Sequence, residues 1–181
     1  MTETGDRSAH ITVLMTAEEI AARNTVLAAE IVAEMGRAPL IIPVLKGSFI
    51  FAADLLRALH DAGAAPDMDF ISLSSYGAGT RSLGEVKIVR DTEVPIKGRD
   101  VLLVDDILES GRTLAFAKDL MMARGAKSVR TCVLLHKKDK QAVDITPDFT
   151  GFDCPDRFVI GYGMDVAHAY RQLPFVGYLE E

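Results

Sequence analysis

The run Val101-Leu102-Leu103-Val104-Asp105-Asp106-Ile107-Leu108-Glu109-Ser110-Gly111-Arg112-Thr113 restricts the possible folds of this chain more than any other segment. Four consecutive apolar residues, 101–104, read as a strand buried on both faces, which is the habit of a parallel sheet covered by helices. Asp105 and Asp106 stand where that strand is expected to end, Glu109 to Thr113 form a small-residue turn, and helical periodicity follows over 113–124. In open α/β sheets, ligands bind beyond the carboxyl ends of the strands. A helix start bearing Ser110, Gly111 and Thr113 presents backbone N–H groups to an anion. Paired carboxylates accept hydrogen bonds from hydroxyls. The ligand implied carries both a phosphate and a sugar.

The rest of the chain supplies the elements such a sheet requires. Thr16 with Glu19 three residues on forms a capping box opening a helix over 16–35, which Pro39 ends. Residues 40–45 read as a buried strand with Pro43 its one awkward member, 46–48 as a turn and 49–60 as a helix. Residues 69–76 alternate like a strand and 85–90 resume that alternation. The Gly-, Ser- and Thr-rich 77–84 lies between them, so a long hairpin is expected to project as a lid over about 74–86. A strand is expected over 129–135, a polar connection over 137–150, a short strand over 158–162 and a terminal segment over 174–179. Alternating strands and helices predict the α/β class, a mostly parallel twisted sheet flanked by helices. The expectation is one domain spanning 1–181, with a core of about 38–165 and a small hood formed by the terminal segments.

Composition narrows the partners. The net charge is −6 over 181 residues, which argues against a nucleic-acid or anionic-membrane surface. Cys132 and Cys154 form no CxxC, and the four histidines lack metal-ligand spacing. The opening MTETGDRSAH lacks the features of a signal peptide, and no apolar stretch is long enough to span a bilayer, so a cytoplasmic location is expected. No GxxxxGK[ST] is present, and Gly77-Ala78-Gly79 has neither the spacing nor the context of a dinucleotide-binding turn.

Taken together, these segments resemble a known family. The run VLLVDDILESGRT is similar to the phosphoribosyl pyrophosphate (PRPP) signature of type I phosphoribosyltransferases. Leu45-Lys46-Gly47, Ser74-Ser75-Tyr76-Gly77, Leu134-Leu135-His136-Lys137, the run from Asp156 to Asp165, and Arg171 follow in the order found in hypoxanthine-guanine phosphoribosyltransferases. The resemblance extends from about residue 10 to residue 178. It implies the type I phosphoribosyltransferase fold with a flexible lid, transfer of phosphoribose from PRPP to N9 of a 6-oxopurine, Mg²⁺ as cofactor and a homodimeric or homotetrameric state. It leaves hypoxanthine, guanine and xanthine unranked.

The resemblance also implies roles. Asp105 and Asp106 would bind the ribose hydroxyls, and Ser110, Gly111, Arg112 and Thr113 the 5′-phosphate. Lys46, Gly47 and Arg171 would contact pyrophosphate, where the Leu45–Lys46 peptide can be cis in relatives, and Ser75 and Tyr76 would begin the lid. Lys137 would donate to the purine 6-oxo group, Phe158 would stack on the ring, and Val159 would offer backbone hydrogen bonds. Asp165, with Asp105 and Asp106, would stand near Mg²⁺. Read alone, Lys137 belongs to a solvated charge run, Phe158 to a core, and Lys46, Asp165 and Arg171 to ordinary turns and surfaces.

One position departs from the pattern. Glu109 stands where the family usually has the aspartate expected to act as general base at purine N7. The extra methylene adds roughly 1.5 Å of reach. Either the loop shifts to accommodate it, or proton removal depends less on this side chain; the expectation adopted is Glu109 as base. A competing reading on the same fold is a regulator that senses PRPP or nucleotides. Against it stand Lys137, Phe158 and Asp165, all present in order, and the lack of a basic tail.

Overall fold

The computed structural model describes residues 10–75 and 86–180. Its strands are β1 (Ile11–Met15), β2 (Leu40–Leu45), β3 (Asp67–Met68), β4 (Ile71–Ser75), β5 (Val86–Arg90), β6 (Asp100–Leu108), β7 (Ser128–His136), β8 (Phe149–Asp153), β9 (Val159–Ile160) and β10 (Val176–Leu179). The helices are α1 (Ala17–Met35), α2 (Phe49–Asp61) and α3 (Arg112–Ala123). The lid expected over 74–86 falls almost wholly outside the described residues, and Tyr76 with it.

The main sheet runs β5-β4-β2-β6-β7-β8, with β3 also pairing β2. All its pairings are parallel except β4 with β5, the hairpin that the alternation on either side of 77–84 implies. Strands of this kind are covered on both faces, and the core divides accordingly. Leu102 and Val104 pack on one face with Leu27 and Ile31 of α1 and Phe51 and Leu55 of α2. Val101 and Leu103 pack on the other with Leu114, Ala117 and Met121 of α3. The Thr16–Glu19 capping box is formed at the start of α1.

Pro43 sits in the middle of β2, where a missing N–H is ordinarily disruptive. On one side, however, β2 pairs β3 only at Leu40 and Ile41 and β4 only from Val44. Pro43 falls in the gap, and the ladder on that side loses nothing.

Three expected boundaries are corrected. The strand expected over 101–104 continues to Leu108, so the acidic pair lies within β6 and not beyond its end. The segment 137–150, expected to be polar connection throughout, gives way at Phe149 to β8, which pairs in parallel with β7 at the sheet edge. Phe149-Thr150-Gly151-Phe152-Asp153 carries too little apolar periodicity to announce a strand. The strand expected over 158–162 is reduced to Val159–Ile160.

A second, three-stranded antiparallel sheet has the order β1-β10-β9 and joins the two ends of the chain. Among the described residues no helix is long and apolar enough to cross a membrane.

Leu103 is fully buried in the centre of the sheet. Leu103→Ala is expected to cost about 2–5 kcal/mol, read by chemical denaturation, because the close-packed face around it cannot collapse into the space left. A loss below about 1 kcal/mol would contradict this account of the core.

Candidate active site

The chain leaves β2 through α2 on one face of the sheet and β6 through α3 on the other. Since β2 and β6 are adjacent, with Pro43 opposite Val104, their carboxyl ends form a topological switch point where the two following loops diverge and open a crevice. The first loop is Lys46-Gly47-Ser48, entered through a cis Leu45–Lys46 peptide. The second is Glu109-Ser110-Gly111.

A cavity of about 310 Å³ at this point is lined by Lys46, Gly47, Asp105, Asp106, Ser110 and Thr113. Neighbouring residues of a regular strand face opposite ways, yet both carboxylates reach this cavity. The alternation slips across them: Ile107 packs with the α1–α2 side of the core, and Leu108 with the α3 side. Gly47 lies so close to the Asp106 carboxylate that any Cβ there would collide with it. Gly111 caps α3 at φ 81°, a left-handed conformation suited to glycine. Arg112, by contrast, is exposed, and its side chain lines neither this cavity nor the next; its backbone N–H donates to Ser110 Oγ at 3.4 Å.

The adjoining cavity, about 560 Å³, shares Lys46, Gly47, Asp106 and Glu109 with the first and adds Lys137, Phe158, Val159, Asp165 and Arg171. Segments far apart in sequence thus converge on one trench. Lys137 follows directly on β7 and is 5% exposed, so its place in a charge run hides a buried ammonium. Its Nζ lies 3.6 Å from Glu109 Oε1. Phe158 is 66% exposed, with its ring at the cavity edge, whereas Val159 is buried in β9. Asp165 is committed on both oxygens, to Arg171 Nη2 at 2.9 Å and to the His168 N–H at 2.8 Å. Arg171 also donates from Nη1 to the Gly163 carbonyl at 2.7 Å. Ser75 ends β4, in register with Val86.

Residues not singled out from the sequence line the same space, among them Leu73, Ile107 and Met164. Ile107 and Met164 each adjoin a polar site residue in sequence, but an apolar residue beside a polar one reads equally well as core. Only the convergence of loops distinguishes the two.

The acidic pair dominates the electrostatics. Withdrawal from solvent, reinforced by the neighbouring Asp106 charge, raises the Asp105 carboxyl well above the usual carboxylate range. Burial raises Asp106 as well, opposed by its hydrogen bond to Asp105 and by the Arg171 charge. Such a pair is relieved by hydrogen-bond donors or by a cation. Among the described residues no cluster of three or more potential ligands could cage a metal. Mg²⁺ is usually held by one or two carboxylates completed by substrate oxygens, and that arrangement fits Asp105 and Asp106.

The family described as phosphoribosyl transferase domain matches residues 11–167. A hypoxanthine-guanine phosphoribosyltransferase of Bacillus subtilis (strain 168) is 44% identical over 93% of this chain and 92% of its own length. The bifunctional protein TilS/HprT of Listeria innocua is 45% identical over 93% of this chain, which spans only 26% of that longer protein. A solved hypoxanthine-guanine phosphoribosyltransferase structure from Bacillus anthracis superposes with a TM-score of 0.87 at 40% identity, covering 94% of this chain and 100% of that one.

The buried pair has a cost that can be measured without ligand. Because folding raises the proton affinity of Asp105, the folded state binds more protons than the unfolded one, so this contribution to stability falls as pH rises from the ordinary carboxylate range through the raised folded value. Asp105→Asn keeps an acceptor for the Asp106 N–H, now 3.0 Å from Asp105 Oδ1, and removes the charge. The variant is expected to flatten the fall in stability across that pH range. Above it, Tm should rise by about 2–4 °C, the shift that about 1 kcal/mol produces in a chain of this size. An unchanged or lower Tm there would show that the pair is not under electrostatic strain.

Proposed function

The chain belongs to the phosphoribosyl transferase family, and on that footing we propose that it transfers the 5-phosphoribosyl group of PRPP to N9 of a 6-oxopurine, hypoxanthine, guanine or xanthine, and releases pyrophosphate. The observation that carries this reading is the continuity of the trench. An anion-binding helix start and an acidic pair line one end, and a buried lysine paired with a glutamate lines the other. A phosphate, a sugar and a base fit along it in that order.

In this reading the 5′-phosphate sits on the turn 109–113, held by backbone N–H groups at the start of α3 and by the Ser110 and Thr113 hydroxyls, with the helix dipole adding a favourable field. Arg112 contributes its backbone, its side chain being turned outward. Asp105 and Asp106 accept from the ribose 2′- and 3′-hydroxyls, donors that relieve their repulsion. Lys46 and the Gly47 backbone bind the pyrophosphate from one side and Arg171 from the other. Mg²⁺, held by Asp105 and Asp106 with Asp165 nearby, would supply charge neutralisation on the departing pyrophosphate. On the resemblance, a lid starting at Ser75 and Tyr76 would exclude water while positive charge builds on the ribose.

At the base end, Lys137 donates to the 6-oxo group. An ammonium has no acceptor, so the exocyclic amine of adenine finds no partner there. Phe158 covers the ring face, and Val159 offers its backbone. Glu109 is the general base at N7. Its carboxylate lies 3.6 Å from the buried Lys137 ammonium. Lys137 binding to the 6-oxo oxygen thereby places the base and the proton it removes side by side. We also propose a homodimer or homotetramer working in the cytoplasm.

Nucleotide formation from PRPP and Mg²⁺ with each purine tests the reaction: product is expected with at least one of hypoxanthine, guanine and xanthine and none with adenine. No product from any of the three would overturn the proposal. Glu109→Gln is expected to lower kcat about 100-fold while the KM for PRPP stays within about twofold, since the side chain acts on the base and not on the phosphates. Unchanged turnover, with chemistry established as rate-limiting, would remove Glu109 from the mechanism.

A further inference from the structure

Tyr162 belongs to neither cavity of the trench, yet everything around it leads there. Its φ is 48°, a left-handed conformation unfavourable for a bulky residue, which persists only where surrounding structure enforces it. The side chain is 4% exposed. Its hydroxyl donates to Asp54 Oδ2 of α2 at 2.6 Å and accepts from Asn24 Nδ2 of α1 at 3.0 Å. Burial and the Asp54 carboxylate both raise the phenol above its ordinary value, so it remains a donor through the physiological range.

The backbone on either side is joined to Arg171. The Tyr162 N–H donates to the Leu173 carbonyl at 2.9 Å and the Gly163 N–H to the Arg171 carbonyl at 3.0 Å. Arg171 Nη1 returns to the Gly163 carbonyl, and Nη2 pairs with Asp165. Residues 161–165 and 171–173 therefore form a single unit. That unit rests against the other pyrophosphate loop: a Cβ on Gly163 would collide with the Gly47 carbonyl. Asp54 stands little more than a turn into α2, the helix that begins directly after Lys46-Gly47-Ser48.

We propose that the Asn24–Tyr162–Asp54 chain is a positioning device that sets the separation between Lys46–Gly47 and Arg171, and with it the grip on the pyrophosphate group; this rests on the trench being the PRPP site. Tyr162 touches no substrate and acts through Arg171 and Gly163. The base end has its own anchors: Val159 pairs opposite Tyr178 of β10, and the Lys137 N–H donates to the Leu108 carbonyl of β6 at 2.9 Å.

The test is steady-state kinetics on the full chain, with PRPP and purine varied separately, and Tm measured alongside. Tyr162→Phe is expected to raise the KM for PRPP about tenfold, the loss of one hydrogen bond to a charged group, with the KM for purine within about twofold. Asp54→Ala, which removes the acceptor without touching the Tyr162 side chain, should reproduce this selective effect even if Tyr162→Phe folds poorly. Asp54→Asn keeps an acceptor for the phenol and should stay within about twofold of wild type in both constants. A lower Tm with an unchanged KM for PRPP in Tyr162→Phe and Asp54→Ala, or equal rises in both KM values, would overturn the inference. A wild-type protein without PRPP-dependent turnover would overturn the proposed function itself. Normal wild-type turnover with an unaltered KM for PRPP in the variants would overturn only the positioning role.

Discussion

The parallel pairing of β2 with β6 is the constraint on which the site depends. It brings the loop after Leu45 and the loop after Leu108 to the same edge of the sheet, while the helices that follow depart to opposite faces. The crevice this leaves is bounded by backbone on both sides, and the approach is close enough that Gly47 has no room for a side chain beside Asp106. Two later parts of the chain reach this junction. β7 delivers Lys137 alongside Glu109, and the turn at 161–165 lies against Gly47 and carries Arg171 with it.

The junction is electrostatically uncomfortable without a ligand. Asp105 and Asp106 are adjacent, largely withdrawn from water, and both raised in pKa. Such a pair is the pattern expected where binding supplies the missing donors or cation. At the other end, the nearly buried Lys137 has Glu109 as its counter-charge.

Much of this was legible from local pattern. The buried run 101–104, the small-residue turn before α3, the Thr16–Glu19 capping box and the alternation on either side of 77–84 each express a short-range rule, and each appears in the structure. What was not legible involves partners distant in sequence. β6 continues through two aspartates because β7 pairs with it as far as His136, a condition invisible in residues 105–108 themselves. β8 exists because β7 offers an edge for Phe149 to Asp153. Pro43 is tolerated because the two strands on its side of β2 leave a gap there. Arg112, a plausible phosphate ligand by position, faces outward because the helix phase that buries Leu114 turns it away.

The sequence by itself determined the groups available: an acidic pair before a small-residue turn and helix start, a lysine and a glutamate, and strands apolar enough to be buried on both faces. Those properties follow from residue type and short-range spacing. The tertiary structure alone decided which of these groups meet. It brought Lys137 within 3.6 Å of Glu109, turned both aspartates into one cavity by a slip in strand alternation, and tied Tyr162 to Asp54 across 108 residues of chain. Such contacts depend on the order of strands in the sheet and on which face each helix covers, and no local stretch of sequence encodes either.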